Sequence, residues 1–493
     1  MGRIADETIR GAKWGLIHKC TMQPVQFLYG IVLARLITPE EFGILGLTSI
    51  FFAIAGQLQN CGFGAALIRK QDRTEEDCST VFWYNVGASF VLSAALFVGA
   101  PWFADFFNQP PLVDITRVSA VMMFLGSTSG VHWALYSARR DFKTPAIVGM
   151  ITTLVGIPVC LTLAFCGFSY WSMVIQGVVT GLLSLIIIWT ISPWKPKFIW
   201  SSRSFREFFG FGSKLVLSGL NDILYLQSRQ LIIGKFYSPA QLGNFNKGMQ
   251  LSEMPRILTD GVIGGVIFPI LSTIQNDEQR LVAVYRKYIR LNNLVCQFVM
   301  LTMVFNAHAL VTVLYGDAWS EASVYACILC IGAATNSLSS INANLYMVKG
   351  RTDIVLKINV LLRIFGIMAL IGAAFISVVA MCWAAASTAL VWFVLCLYYT
   401  TKVSSLDYLK QLKDYLPYIF FSIIANIPSY IFSCVCVHSG LKLMMGVGCA
   451  FVIYSFLLYL RRDEMANELI HVSLRSRFIR RITSKKLEWK SSK

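Results

Sequence analysis

The sequence predicts an all-α integral membrane protein with fourteen transmembrane helices, and three observations carry that prediction. First, the chain of 493 residues is 56% apolar and only 14% charged, too little polar surface for a soluble protein of this length. Second, the apolar residues gather into fourteen stretches, each near or above the roughly 17–25 residues that a spanning helix needs. Third, the basic residues alternate. Of 43 lysines and arginines, 33 fall in every second connection counted from the N-terminus, three fall in the others, and seven lie within spans. Such a bias puts the basic connections in the cytoplasm, so both termini are cytoplasmic and the number of spans is even. The net charge of +17 is then a topology signal, not the footprint of a nucleic-acid partner, and the ten basic residues after Leu460 also suit the anionic inner leaflet.

The spans follow in order. Residues 14–36 and 42–67 are joined by the turn Thr38-Pro39-Glu-Glu-Phe-Gly43 and followed by Arg69, Lys70 and Arg73. Residues 80–103 and 115–136 are separated by the 103–114 connection and followed by Arg139, Arg140 and Lys143. Residues 146–166 and 170–191 turn at Gly167–Ser169, ahead of a cytoplasmic stretch holding five basic residues from Lys195 to Lys214. The next pairs are 215–234 with 249–270, 289–314 with 323–347, and 355–375 with 378–399; the last is 416–436 with 443–460. Outward connections this short leave no room for an extracytoplasmic domain. No G-x-x-x-x-G-K-[ST] sits in a cytoplasmic one, so a nucleotide-binding cassette is excluded. A cleavable signal peptide is not expected, since the first apolar run is long and has no A-x-A-like site. The 13 cysteines lack ligand spacing, and the C-x-C of Cys434 and Cys436 lies in an apolar helix. Neither a structural disulfide, a metal nor a cofactor is expected.

The chain repeats itself. Lys13 is followed by Thr38-Pro39-x-x-Phe-Gly43 and Lys214 by Ser238-Pro239-x-x-Leu-Gly243 at almost the same spacing. A second echo pairs Tyr136-Ser-Ala-Arg139-Arg140-Asp141-Phe-Lys143 with Tyr346-Met-Val-Lys349-Gly350-Arg351-Thr-Asp353. Each repeat covers six helices, so both enter from the same side and are related by an axis along the membrane normal. The expected organisation is an N-terminal lobe (1–199), a C-terminal lobe (200–402), two added helices (403–460) and a basic tail (461–493). Two lobes of this kind enclose a central cavity and suit alternating access.

Helical spacing names the candidate lining. Lys19, Gln23, Gln26 and Gly30 share one face of the first span, and Gln57, Asn60 and Gly64 one face of the second. The seventh span carries Ser218, Asp222, Tyr225 and Arg229; the eighth carries Glu253, Arg256 and Asp260. Asn336, Ser340 and Asn344 follow on the tenth, and Asn359 and Arg363 on the eleventh. A charge at the bilayer centre costs roughly 2.5–3.5 kcal/mol, so these faces should avoid lipid. Lys19, Arg229, Arg256 and Arg363 are the expected sites for a double anion, since lysine offers a point charge and arginine a bidentate fork. Gln23, Gln26, Gln57, Asn60, Tyr225, Asn336 and Asn344 offer the amides and phenol that a sugar needs. Asp222, Glu253 and Asp260 are candidates for a coupling ion, although Glu253, Arg256 and Asp260 could equally satisfy one another along their helix. Arg35 and Lys235 read as snorkelling residues, and His18, His132 and His308 as packed or hydrogen-bonded. In the tail, Leu469, Val472, Ile479 and Ile482 fall near one face, which fits an interfacial helix; a solvated tail is the other reading.

Eight stretches then resemble a known family: LARLITPEEFG (33–43), NCGFGAALIRK (60–70), FWYNV (82–86), ALYSARRDFKT (134–144), FYSPAQLGNFNKGMQL (236–251), FPILSTIQND (268–277), YGDAWSEA (315–322) and LYMVKGRTDI (345–354). In this order and spacing they resemble the polysaccharide flippases of the Wzx family, within the multidrug/oligosaccharidyl-lipid/polysaccharide exporter superfamily. The resemblance covers about residues 1–400 and implies a monomer in a bacterial inner membrane that moves an undecaprenyl-diphosphate-linked oligosaccharide between leaflets. Besides that lipid-linked oligosaccharide and membrane lipids, it implies the polymerase and glycosyltransferases of the same pathway as candidate partners. Two readings from other classes stand beside it. One is a drug or cation antiporter of the same superfamily, whose cavity would be organised by Asp222, Glu253 and Asp260. The other is a membrane polymerase or glycosyltransferase, which would be expected to carry a sizeable outer loop.

Overall fold

The computed structural model describes residues 21–339, 341–435 and 438–468, with the side chains of 256–266 and 433–435 outside that description. Among the described residues every regular element is helical. Lys19, the side chains of Arg256, Asp260 and Ser340, the C-x-C cysteines and the expected tail face at 469–482 lie outside the described residues.

The chain divides into two compact units, Met1–Asn246 and Lys247–Lys493. The first holds α1 (21–36), α2 (Pro39–Asn60), α3 (Phe63–Arg69), α4 (Glu75–Phe107), α5 (Leu112–Ser127), α6 (Gly130–Ala138), α7 (Lys143–Phe165), α8 (Trp171–Ile191) and α9 (Ser202–Phe236). α10 (Pro239–Thr273) begins in the first unit and continues into the second. There follow α11 (Glu278–Phe305), α12 (Ala307–Tyr315), α13 (Ser320–Ser339), α14 (Asn342–Val348), α15 (Thr352–Ala374), α16 (Val378–Val403), α17 (Tyr408–Val435) and α18 (Ser439–Leu460).

Among the described residues ten helical stretches are long and apolar enough to cross a membrane, and an eleventh arises if α5 and α6, bent by 44° at their junction, count as one. The other three expected spans are the first, which begins outside the described residues, and α9 and α10. At 35 residues α9 is long enough, but it carries Arg203, Arg206, Glu207, Lys214, Asp222, Arg229 and Lys235 along its length. The unit division falls beyond α9 because α9 packs on α2, α3 and α4.

Both sequence echoes turn out to be repeated local structures. Thr38 Oγ1 accepts from the Glu41 N–H at 3.4 Å, while Glu41 accepts from the Thr38 N–H at 2.9 Å, with Pro39 at the first helical position. Ser238 and Gln241 make the same reciprocal pair at 3.2 and 3.3 Å. Each [ST]-P-x-[EQ] is thus a capping box. The second echo is a left-handed helix stop. Asp141 N–H bonds the Tyr136 carbonyl at 3.0 Å across Arg140, which has φ 58°; Arg351 N–H bonds the Tyr346 carbonyl at 2.8 Å across Gly350, φ 70°.

The core of the first unit gathers α3, α4, α6 and α9 around Phe63 and Leu67, both fully buried. His132 is buried there between Trp189 and Trp194, 5.2 Å from each ring, with Nδ1 2.8 Å from Ser192 Oγ. In the second unit Tyr285, Ile289, Leu345 and Tyr415 form an equivalent core. At one end of this core α17 is tied to α11 by charge. Asp414, 2% exposed, accepts from Arg286 Nε at 2.6 Å, Arg286 Nη2 at 3.0 Å and Arg290 Nε at 2.6 Å. Lys287 pairs with Glu468 at 2.6 Å, which extends the tie to the segment after α18.

Candidate functional site

In the first unit α2 and α9 pack side by side and form a seam that holds some of the polar positions. Glycine makes the seam possible. At one end, a Cβ on Gly43 would fall on the Pro239 carbonyl oxygen, and a Cβ on Gly243 would fall on that of Pro39. The two capping turns therefore lie back to back on the same side of the helix array, each glycine admitting the backbone of the other turn. At the opposite end a Cβ on Gly212 would fall on the Cys61 carbonyl oxygen, and Gly62, at φ 66°, would place its own 3.0 Å from Gly212 Cα. Both ends of the seam are closed by backbone-to-backbone contact.

Between these ends lie the side chains. The Gln57 amide fills the space that a Cβ on Gly219 would need. Ser49 donates to Gln230 Oε1 at 3.2 Å, a link across the seam that the spacing argument did not name. Asp222, Tyr225 and Arg229 are half-buried along the same stretch of α9. Asn60 is exposed and spends its amide on the Gly56 carbonyl of its own helix at 2.9 Å. Gln23 is half-buried and Gln26 exposed on α1. Lys235 donates to the Phe106 carbonyl at 2.6 Å and lies 4.2 Å from the Phe106 ring. Just past the end of α3, Lys70 pairs with Asp77 at 3.0 Å and Glu207 at 3.1 Å. Burial pushes the Asp77 carboxyl up, but the Thr74 N–H, the Ser204 hydroxyl and the Lys70 ammonium outweigh it and hold Asp77 below the usual range.

In the second unit Glu253, Asn336, Asn344 and Arg363 are each half-buried on four different helices. Sequence spacing also missed a deeper set on α11. Asn292 donates to the Ser337 carbonyl at 2.8 Å, and Gln297 donates to the Ala334 carbonyl at 2.9 Å and Ser337 Oγ at 3.2 Å. Tyr285 donates to Asn342 Oδ1, and Tyr346 bonds Thr400 at 2.9 Å. These groups are buried and, apart from both polar atoms of Asn293 and one of Asn342, matched with one another; they hold helices together and offer little to a ligand. The signal was present as Asn292, Asn293 and Gln297 within an otherwise apolar span.

Within the seam, Gln57, Ser49 and Gln230 bring amides and a hydroxyl together between two backbone-closed ends. The apolar helices belong to a multi-pass protein of the cell inner membrane. The chain belongs to the family described as "Polysaccharide biosynthesis protein", whose model matches residues 32–324. It is similar to the teichuronic acid biosynthesis protein TuaB of Bacillus subtilis, at 24% identity over 72% of this chain and 74% of that one. It is similar also to the lipopolysaccharide biosynthesis protein WzxC of Escherichia coli, at 21% over 72% and 73%. Its fold matches that of the lipid II flippase MurJ in an inward closed conformation, with a TM-score of 0.70 at 13% identity, covering 92% of this chain and 99% of the other.

Proposed function

We propose that the protein flips an undecaprenyl-diphosphate-linked oligosaccharide from the cytoplasmic to the periplasmic leaflet of a bacterial inner membrane. The observation that carries this reading is the α2–α9 seam, whose polar groups lie between two backbone-closed ends. Fourteen spans with both termini cytoplasmic, as the basic residues imply, put Pro39 and Pro239 on the periplasmic side. Lobes of 1–199 and 200–402, followed by 403–460 and the tail, are the moving parts of an alternating-access cycle. In that cycle Lys19, Arg229, Arg256 and Arg363 receive the diphosphate, and Gln23, Gln26, Gln57, Asn60, Tyr225, Asn336 and Asn344 the sugars. Asp222, Glu253 and Asp260 answer to the coupling ion. The polyprenyl chain stays in lipid, since an apolar tail gains nothing from amides. No bond is made or broken, so no catalytic group is required.

The test is complementation of a strain lacking its own flippase. Arg229→Ala and Arg256→Ala should each abolish polymer export while the protein still reaches the membrane. Arg256→Lys should be partly active, because the charge remains and the planar fork is lost. Full complementation by both alanine variants would refute the assignment of the diphosphate to these cations. Turnover of a lipid-linked sugar by the purified protein would refute the non-enzymatic reading.

A further inference from the structure

The second unit contains a cavity of about 440 Å³ away from the stripes described above, where α11 passes into α12 and meets the start of α13, the end of α17 and the start of α18. Its polar lining comes from Asn306, His308, Ser323, Ser429, Tyr430 and Lys442. None of its thirteen lining residues is acidic, so two basic side chains from separate helices face a cavity without a carboxylate. The backbone adds to this. α12 opens at Asn306 without a side-chain cap, and its first intrahelical bond is Leu310 N–H to the Asn306 carbonyl at 2.8 Å. The N–H groups of Ala307, His308 and Ala309 precede that bond, and all three residues line the cavity. The uncapped N–H groups and the positive end of the helix dipole favour the same sign of ligand as Lys442.

Depth identifies which anion. Lys442 lies in the first turn of α18, and eighteen residues of helix separate it from Leu460 at the other end, about 27 Å at 1.5 Å per residue. That distance is close to the ~30 Å hydrocarbon thickness, so the cavity sits at the interface opposite Leu460. Val324 of the lining, Leu441 next to Lys442, and Ile427 and Ile431 on the same helix as Ser429 and Tyr430 are all exposed. A cationic slot at headgroup level with hydrocarbon-facing margins suits a molecule that is anionic at one end and aliphatic at the other.

We propose that this cavity binds the phosphate headgroup of an anionic glycerophospholipid, with its acyl chains lying along α17 and α18. On the cytoplasmic-termini orientation the bound lipid belongs to the outer leaflet. The site ties the two C-terminal helices to α11, α12 and α13 through a lipid, independently of the transported substrate.

The full-length protein in phosphatidylcholine nanodiscs, with and without phosphatidylglycerol, tests this by native mass spectrometry and thermal melting. Phosphatidylglycerol should be retained in preference to phosphatidylcholine and raise the melting temperature saturably. Lys442→Ala should weaken that apparent affinity by about five- to tenfold, as removal of one cation at a charged interface does. Lys442→Arg should keep it, and its melting in phosphatidylcholine alone separates loss of the site from loss of folding. His308→Ala should weaken it by a smaller factor. Equal retention of the two lipids by the wild type, or an unchanged phosphatidylglycerol response in both alanine variants, would overturn the proposal. Inorganic phosphate that reproduces the stabilisation and displaces the lipid would also overturn it, in favour of a soluble anion.

Discussion

Asp414→Asn isolates the clamp that fixes α17 to α11. The substitution keeps the shape of the side chain and removes the charge that faces Arg286 and Arg290. Three short N–H···O contacts, at 2.6, 3.0 and 2.6 Å, converge on a carboxylate that is 2% exposed. Removing one partner of a buried ion pair costs about 3–5 kcal/mol, because the charge left behind stays desolvated. Here the arginines are 28% and 32% exposed, and water reaches them when the carboxylate is neutralised. The cost therefore falls at or just below the low end of that range, about 2–3 kcal/mol. For a unit of roughly 250 residues each kcal/mol shifts melting by about 2–4 °C, so a loss of about 4–12 °C is expected. Thermal melting of the purified protein in detergent measures it. A double-mutant cycle with Arg286→Met should show that the second substitution adds little once Asp414 is neutral. If Asp414→Asn melts within 1 °C of the wild type, or if the two changes simply add, the clamp is not what joins the two helices.

Arg140→Gly should stabilise the first unit by about 0.5–1 kcal/mol, because a left-handed position suits glycine better than an exposed arginine, and the second repeat already has Gly350 there; an unchanged or lower melting temperature would contradict the shared helix stop. Gly43→Ala and Gly243→Ala should each cost about 1–3 kcal/mol, since the added methyl meets backbone that cannot swing aside. Gly56→Ala, with nothing within 4 Å of its Cβ, is the neutral control, and equal melting of all three would remove the close-packed turns. Asp77, held below the usual carboxylate range, contributes stability above about pH 4 that disappears as pH falls through its folded-state value. Melting should be level from about pH 8 to pH 5 and decline below that, and the decline should be shallower in Asp77→Asn.

Much of the fold was legible because lipid imposes period and length on a chain. The pairing of Thr38-Pro39 with Ser238-Pro239 was visible as a spacing and proved to be two identical caps in contact. That they touch was not legible, since it depends on Gly43 and Gly243 lacking a side chain and not on any residue that attracts another. The same holds within the seam. Helical spacing picked Gln57, Asp222, Tyr225 and Arg229, but the closeness of Gln57 to α9 comes from Gly219. His132 illustrates the opposite case: its neighbours Trp189, Ser192 and Trp194 lie some sixty residues on, where no local pattern could connect them. Asn292 and Gln297 escaped notice because their partners are backbone carbonyls on α13, which every residue possesses and none advertises.

About one turn of α11 beyond the clamp at Asp414, Tyr454 of α18 donates to the Leu294 carbonyl at 2.8 Å, and past the far end of α11 Gly446 lets Asn306 approach α18. α17 and α18 are thus riveted to α11 at more than one height. A spin label or fluorophore on the lipid-facing side of α18, for instance at Phe451, would report displacement of the second unit as a whole, with the label itself well clear of the polar stripes. These two helices are in this way a handle for testing the proposed alternating-access cycle.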